Sequence, residues 1–236
     1  MDGLAGHPET TFKGLKDTLE SDGHHVVLVD TATVRTHEDR VQLVLDAYHA
    51  NKPQTIFLVG FSAGGSAVRI AAERLERAGE DVAGVVLLAP AMPAFIPFAT
   101  KELVKVMKDR VADIILGRTF LLSEREYQTL ASPIHQDKMN EIVKSGREVS
   151  GVEARRLAFC PPRFVGYSYP TLHMWGSKDR WIAPHAQHRF GAKLRKRSSA
   201  TVTSYEVSES GHYVLASEKR GEVVEGIQRW ISRIPQ

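Results

Sequence analysis

Short runs of apolar and β-branched residues recur along the chain and predict the strands of a sheet. Continuous runs cover residues 25–29, 55–59, 85–88 and 171–175, and a fifth run with more alternation covers 202–207. Strands that are apolar on both faces are typical of parallel sheets covered by helices on both sides. The pattern therefore predicts a mostly parallel, doubly wound α/β sheet.

Between these runs, apolar residues return every three or four positions and predict helices. The four clearest stripes are Phe12, Leu15 and Leu19; Val41, Val44, Leu45 and Tyr48; Ala67, Ile70, Ala71 and Leu75; and Val224, Ile227 and Ile231. Each stripe is the face that a helix turns towards a core. Alternating strands and helices support the α/β prediction.

One long segment interrupts this alternation. Over residues 91–169 the sequence predicts no strand. It predicts a helix over 101–116, with one side formed by Leu103, Val104, Met107 and Val111. Shorter helices are expected over 123–130, 136–144 and 152–158. We interpret the segment as a helical cap over the end of the sheet, which divides the chain into a core of residues 1–90 and 170–236 and a cap of residues 91–169.

Composition and charge narrow the class of protein. The 236 residues are 42% hydrophobic, enough for one substantial core, and the net charge is only +3. The basic run at 193–197 is interpreted as a solvated helix end, with a nucleic-acid or anionic-membrane patch as the less favoured alternative. The single cysteine, Cys160, fits a reducing compartment, and we expect a cytoplasmic protein. No apolar run predicts a membrane span or a secretory signal.

A glycine-flanked serine follows the second predicted strand and opens the next helix. The motif reads Gly60-Phe61-Ser62-Ala63-Gly64, followed by Gly65. A sharp strand-to-helix turn exposes the serine hydroxyl but crowds the backbone, so residues two positions away must be small. The helix also points its positive end at the serine. We interpret Ser62 as a nucleophile; a glycine-rich loop with a serine helix cap is the alternative.

A base and an acid stand in loops that follow later strands. His212 is one of ten histidines, and it lies in the loop between the last strand and the last helix. That loop reaches the carboxyl edge of the sheet, where Ser62 also lies. Asp179 follows the strand at 171–175 and is the carboxylate predicted to orient the imidazole. Glu206 and Glu209 compete as acids and rank lower, because Glu206 falls within a strand and Glu209 is too close to His212 in sequence.

These residues occur in the order and settings of the α/β-hydrolase fold, which the chain resembles over nearly its whole length. The matching motifs are Gly-Phe-Ser-Ala-Gly, Gly-Ser-Lys-Asp-Arg-Trp-Ile-Ala-Pro and Ser-Gly-His. The resemblance implies that Ser62 is the nucleophile, His212 the general base and then acid, and Asp179 its orienting partner. It further implies oxyanion-hole amides on Ala63 and on Leu4.

The amino terminus departs from the resemblance. Asp2 stands where that family often has the histidine of a His-Gly-x loop, and Met1 begins at the loop itself. The strand that precedes this loop in the family, beside the nucleophile strand, is therefore absent. Three explanations remain: a truncated or mis-started chain, which we favour, a compact variant with a rearranged sheet, or a strand from elsewhere.

The expected reaction is cleavage of a small or medium carboxylic ester through an acyl-serine, without cofactor or metal. Other chemistry with the same residues (on a thioester, a lactone or a carbon–carbon bond, or a lyase reaction) and a non-catalytic binding role remain alternatives. Dehalogenase and epoxide hydrolase relatives carry aspartate at the Ser62 position. The oligomeric state is open. Candidate pocket residues are Met92, Phe95, Ile96, Phe98, Phe120, Leu121, Phe159, Phe164, Tyr167, Tyr169, Trp181 and Tyr213.

Overall fold

The computed structural model describes residues 1, 7–31, 34–51, 55–91, 100–131, 133–134, 136–146, 148–159 and 166–235. Its helices are α1 (Pro8–Ser21), α2 (His37–Ala50), α3 (Ala63–Arg77), α4 (Lys101–Asp109), α5 (Val111–Leu116), α6 (Glu124–Ala131), α7 (Gln136–Ser145), α8 (Gly151–Phe159), α9 (Pro184–Arg197) and α10 (Arg220–Ile231). Its strands are β1 (Phe57–Phe61), β2 (Gly84–Leu88), β3 (Thr119–Phe120), β4 (Val149–Ser150), β5 (Thr171–Gly176) and β6 (Val202–Val207).

Four strands form the central sheet, in the order β1-β2-β5-β6 and parallel throughout. Successive residues of β2 serve opposite faces: Val85 and Leu87 pack in one apolar cluster, and Val86 and Leu88 pack in the other. The first cluster includes residues of α2, α3 and α9, and the second includes residues of α1 and α10. Helices thus cover both faces, and the predicted doubly wound α/β fold is confirmed.

The prediction of a strand at residues 25–29 is wrong. The segment forms no strand, and a cleft of about 540 Å³ lies between it and β1. Apolar, β-branched composition favours a strand only where a neighbouring backbone supplies hydrogen-bond partners. Among the described residues, Met1 bonds to β1: its amine donates to the Val59 carbonyl at 2.9 Å, and its carbonyl accepts from the Phe61 amide at 3.0 Å.

The residues between β2 and β5, here called the insertion segment (described residues 100–159), are mainly helical as predicted. Two details of the prediction are wrong. The helix expected over 101–116 breaks at Arg110 into α4 and α5, and its buried face carries Leu103, Val106 and Ile114, with Val104 and Val111 exposed. The segment also contains a short antiparallel ribbon, β3–β4. The prediction missed this ribbon because strands of two residues show no detectable alternation of apolar and polar positions. The division into core and cap stays a prediction.

A buried ion cluster joins the insertion segment to α2. Glu153, on α8, accepts two hydrogen bonds from the Arg40 guanidinium, at 2.9 and 3.0 Å, and lies 3.3 Å from Nδ1 of His37. All three side chains are buried. Burial alone would raise the pKa of the Glu153 carboxyl, but the charge and hydrogen bonds of Arg40 and His37 outweigh it and lower the pKa to about 2.

Close packing of backbone fixes the turn from β1 into α3. A Cβ added at Gly60 would lie 2.5 Å from the Gly64 carbonyl oxygen and 2.7 Å from Cα of Gly65. A Cβ at Gly65 would lie 2.9 Å from Cβ of Pro90, in the segment that follows β2. The motif's glycines therefore allow β1, α3 and the end of β2 to meet around Ser62.

Gly60→Ala is expected to lower the free energy of unfolding by about 2 kcal/mol or more, because its methyl group would meet backbone that cannot move aside. The matched control is Gly14→Ala, inside α1, where nothing lies within 4 Å of the added Cβ. That control is expected to raise stability by up to about 1 kcal/mol. Urea unfolding of both variants checks this, and equal midpoints for Gly60→Ala and the wild type would contradict it.

Glu153→Gln is expected to lower the free energy of unfolding by about 3 kcal/mol at pH 7, because it removes the carboxylate that faces Arg40 in a buried site. Since the folded-state pKa of Glu153 is depressed, its contribution is present above pH 4.5 and is lost as the pH falls towards 2. The difference from the wild type should therefore shrink over that range in urea unfolding. Glu38→Gln, which removes an exposed pair with Arg74, is the control and should change stability by less than about 1 kcal/mol.

Candidate active site

Ser62 occupies a strained position between β1 and α3. Its backbone angles are φ 53° and ψ −121°, in a region that non-glycine residues rarely adopt. Backbone hydrogen bonds hold it there: its amide donates to the Leu88 carbonyl at 2.9 Å, and its carbonyl accepts from the Ala91 amide at 2.8 Å. The turn aims the hydroxyl away from the helix that follows, since the Ser62 side chain makes no cap hydrogen bond to α3. Ser62 therefore stands at the N-cap position of α3 without capping the helix through its side chain.

His212 brings Ser62 and Asp179 into one chain of hydrogen bonds. Nε2 of His212 lies 2.9 Å from Oγ of Ser62, and Nδ1 lies 2.8 Å from Oδ2 of Asp179. A carboxylate only accepts, so Nδ1 carries the proton and Nε2 presents its lone pair to the serine hydroxyl. All three side chains are buried, and the Trp181 ring stacks on the imidazole with centroids 5.4 Å apart.

Backbone amides hold Asp179 in its orientation. Its second oxygen, Oδ1, accepts from the amides of Trp181 at 2.7 Å and Ile182 at 2.9 Å. One carboxylate oxygen therefore faces the imidazole while the other is fixed by the chain just beyond it. The glycine that ends β5 is equally constrained, since a Cβ on Gly176 would collide with the carbonyls of Ser210 and Gly211. This contact sets the loop of Asp179 against the loop of His212.

The competing acids are engaged elsewhere. Glu206 accepts from Nε1 of Trp175 at 2.9 Å and lies 3.0 Å from Nε2 of His188, and Glu209 pairs with Lys178 on the surface. Another histidine, His173 on β5, is fully buried with Nε2 3.0 Å from Oε1 of Gln187. Burial lowers the pKa of His173 to about 4, so it stays neutral in the core.

Of the two predicted oxyanion residues, Ala63 lies within the described part of the chain and Leu4 lies outside it. Ala63 is the first residue of α3 and is fully buried beside Ser62. Amides in the first turn of a helix have no partner within the helix, and the helix dipole adds positive potential there. Leu4 and Asp2 lie outside the described residues.

An apolar pocket meets Ser62 and His212 beneath the insertion segment. Its free space is about 60 Å³, which is roughly four to six water-sized volumes. The other residues that line it are Ala91, Leu103, Val106, Met107, Arg110, Ile114, Phe120, Leu122, Leu130, Val149, Ala154, Leu157, Trp181 and Ile182. The charged member, Arg110, donates to Glu126 at 2.9 and 2.7 Å, and its guanidinium lies 5.7 Å from the Phe120 ring centroid. Burial alone would raise the pKa of Glu126, but the Arg110 pair and hydrogen bonds with Ser123 outweigh it and lower the pKa to about 2. The pair with Glu126 offsets the charge of Arg110 at the pocket.

The predicted pocket residues are only partly found in this lining. Phe120 and Trp181 line the pocket, whereas Leu121 is exposed and Tyr213 packs against Phe61. Tyr167 and Tyr169 do not line this pocket. Burial raises the pKa of each of these two phenols to about 12. Met92, Phe95, Ile96, Phe98, Phe164 and Cys160, as well as the side chain of Phe159, lie outside the described residues.

Sequence reasoning missed most of the aliphatic lining of the pocket and all of the Glu153 cluster. Leu103, Val106 and Ile114 share one helical face, so their common spacing was the available signal. The pairing of Glu153 with Arg40 and His37 joins residues more than a hundred positions apart, and no local pattern marks it.

Two further features concern the described residues. No group of three or more His, Cys, Asp and Glu side chains within them is arranged to hold a metal ion. No helix among them is long and apolar enough to cross a bilayer.

Comparisons with known proteins agree with the predicted fold. The family model described as alpha/beta hydrolase family matches residues 4–225. Similar solved structures include a monoacylglycerol lipase from Paleococcus ferrophilus, with TM-score 0.70 and 19% identity, covering 100% of this chain and 93% of that one. An esterase from Thermogutta terrifontis has TM-score 0.66 and 15% identity, covering 100% and 89%. The type II thioesterase BorB has TM-score 0.62 and 15% identity, covering 98% and 90%.

No curated protein sequence matches the chain significantly. At these identities the structural matches speak for the fold alone. The family model, however, extends over most of the sequence and includes the serine, acid and base motifs. The chain therefore belongs to the alpha/beta hydrolase family.

Proposed function

We propose that the protein is a serine hydrolase that cleaves a small carboxylic ester through an acyl-serine intermediate. The observation that carries the proposal is the continuous chain of hydrogen bonds from Ser62 through His212 to Asp179. A serine hydroxyl is a weak nucleophile until a neighbouring base removes its proton. In this arrangement the base is in contact, has the correct tautomer, and is oriented by a carboxylate fixed by two amides.

In the proposed first step, Oγ of Ser62 attacks the ester carbonyl carbon and Nε2 of His212 takes the hydroxyl proton. The Ala63 amide, at the positive end of α3, stabilises the oxyanion that develops on the carbonyl oxygen. The imidazolium, held by Asp179, then gives its proton to the departing alkoxide as the carbon–oxygen bond breaks. The acyl group remains on Ser62.

In the second step His212 deprotonates a water molecule, which attacks the acyl-serine. The carboxylic acid leaves, and Ser62 recovers its proton from the imidazolium. Leu4 is the second oxyanion residue of this proposal, by resemblance alone. The insertion segment acts as the cap of the site, since its residues form most of the pocket wall.

The size and polarity of the pocket favour a short apolar acyl group. Free space of about 60 Å³ accommodates a few carbon atoms beyond the carbonyl, and the lining offers an acyl chain almost only apolar contacts. Thioesterase, lactonase, carbon–carbon bond hydrolase and lyase chemistry use the same three residues and remain alternatives. We further propose a small-molecule substrate, no nucleic-acid partner and a cytoplasmic location.

Ser62→Ala is expected to reduce hydrolysis of p-nitrophenyl acetate and butyrate by at least about 1,000-fold, because no other group replaces the nucleophile. Steady-state rates at matched enzyme concentration check this, with Ser66→Ala, one turn further along α3, as a control that should retain most activity. A fluorophosphonate probe should label the wild type and not Ser62→Ala. A wild type that neither turns over these esters nor accepts the probe would refute the serine mechanism.

Ala154→Leu is expected to narrow the pocket and to lower kcat/KM for p-nitrophenyl butyrate by about tenfold more than for the acetate. The added carbons would occupy space that the longer acyl chain needs. Ala112→Leu, an equal change at an exposed position of α5, should leave the ratio unchanged. If both variants shift the butyrate-to-acetate ratio alike, the acyl group does not bind in this pocket.

A further inference from the structure

Large apolar side chains are exposed on the outside of the insertion segment. We call this set the outer apolar face, and its members are Val104, Val111, Ile115, Leu116, Leu121 and Val152. Four of them leave about half or more of their surface in contact with solvent: Val111 51%, Ile115 57%, Leu116 60% and Leu121 56%. Among the described residues, the other exposed large apolar side chains are Val27, between α1 and α2, and Tyr205, on β6. Clustered exposure of this kind marks interaction surfaces.

The elements that carry the outer apolar face contact one another, since α5 contacts α4, β3 and α8. Leu103 on α4 and Ile114 on α5 are both buried. Val104 and Ile115, the residues that follow them, are both exposed, so each of the two helices turns one side inward and one side outward. Val152 on α8 borders the end of α5, because a Cβ on Gly117 would lie 3.0 Å from its Cγ2.

The charged side chains around this face are mostly cations. Within residues 101–121 and 151–157 the exposed cations are Lys101, Lys105, Lys108, Arg118, Arg155 and Arg156; the acids that reach solvent are Asp109, which is exposed, and Glu102 and Asp113, which are partly exposed. The acid on α8, Glu153, is buried in its pair with Arg40. Apolar side chains amid lysine and arginine suit a surface that combines anionic headgroups with accessible hydrocarbon. Like charge disfavours contact between two copies of the same face.

We propose that the outer apolar face docks the protein onto anionic lipid bilayers. The same elements line the pocket from within, through Met107 on α4, Ile114 on α5, Phe120 on β3 and Leu157 on α8. One layer of backbone therefore separates the bilayer surface from the space next to Ser62. Docking would bring apolar esters dissolved in the bilayer next to the pocket. Binding itself is independent of the proposed hydrolysis.

Co-sedimentation with vesicles tests the proposal, using the full chain with Ser62→Ala so that no ester is consumed. Vesicles of phosphatidylcholine mixed with phosphatidylglycerol should bind the protein, and vesicles of phosphatidylcholine alone should bind at least tenfold less. Added salt should release the bound protein, because the attraction between headgroups and cations is screened. Equal binding to both vesicle types, or binding to neither, would overturn the proposal.

Surface variants identify the face involved. Ile115→Ser with Leu116→Ser, and separately Lys105→Glu with Lys108→Glu, should each lower the vesicle partition coefficient at least tenfold. The matched controls are Val27→Ser, and Lys193→Glu with Lys196→Glu in the basic end of α9, which should bind as the parent does. Unchanged binding in the face variants, or loss in the α9 control, would assign docking elsewhere.

Folding and self-association are checked in the same variants. With Ser62 intact, each should turn over p-nitrophenyl butyrate within about twofold of the wild type, because these side chains point away from the pocket. If the double serine variant fails to fold, Leu121→Ser alone should still weaken binding measurably. Sedimentation velocity that reveals a dimer dispersed by Ile115→Ser with Leu116→Ser, without vesicle binding, would make this face an interface between copies and reject lipid docking.

Discussion

The positive φ of Ser62 is the constraint on which the site depends. A serine in this conformation is strained by on the order of 1–3 kcal/mol, and it persists only when its surroundings allow no alternative. The surroundings here are backbone: the Leu88 carbonyl and the Ala91 amide bind Ser62, and Gly60 and Gly65 let neighbouring chain approach. The end of β2 therefore supports Ser62 as directly as β1 does. Parallel pairing of β2 with β5 then brings the loop of Asp179 to the same edge.

Much of this could be predicted from the sequence, because the relevant signals are local. The glycines of the motif indicate the sharp β1–α3 turn. The loops of Asp179 and His212 each follow an apolar strand, so parallel topology predicts that both loops lie at the same edge of the sheet. The strand at 25–29 was predicted wrongly for the opposite reason. The composition of this segment favours a strand, but a strand also requires a neighbouring backbone as hydrogen-bond partner. Here a cleft lies between the segment and β1.

The insertion segment was the least predictable part of the fold. Periodicity shows that its helices have apolar residues on shared faces, but it does not show which face points towards the pocket. Val104 and Val111 are as apolar as the residues that face the pocket, yet they lie on the outside. A period of 3.6 residues identifies a shared face but not which of two faces is covered. The orientation is decided by contacts distant in sequence, such as Glu153 with Arg40, which tie α8 to α2.

That tie links the stability of the fold to the shape of the pocket. Glu153 points towards α2, while its helix neighbours Ala154 and Leu157 line the space next to Ser62. A buried ion pair contributes little net stability compared with apolar packing, but it tolerates very few geometries because both charges must stay paired. An apolar interface would allow α8 to slide along α2, whereas two hydrogen bonds from one guanidinium fix its position along that helix. The position of Ala154 and Leu157 in the pocket next to Ser62 therefore depends on a buried cluster that lies outside the lining of that pocket.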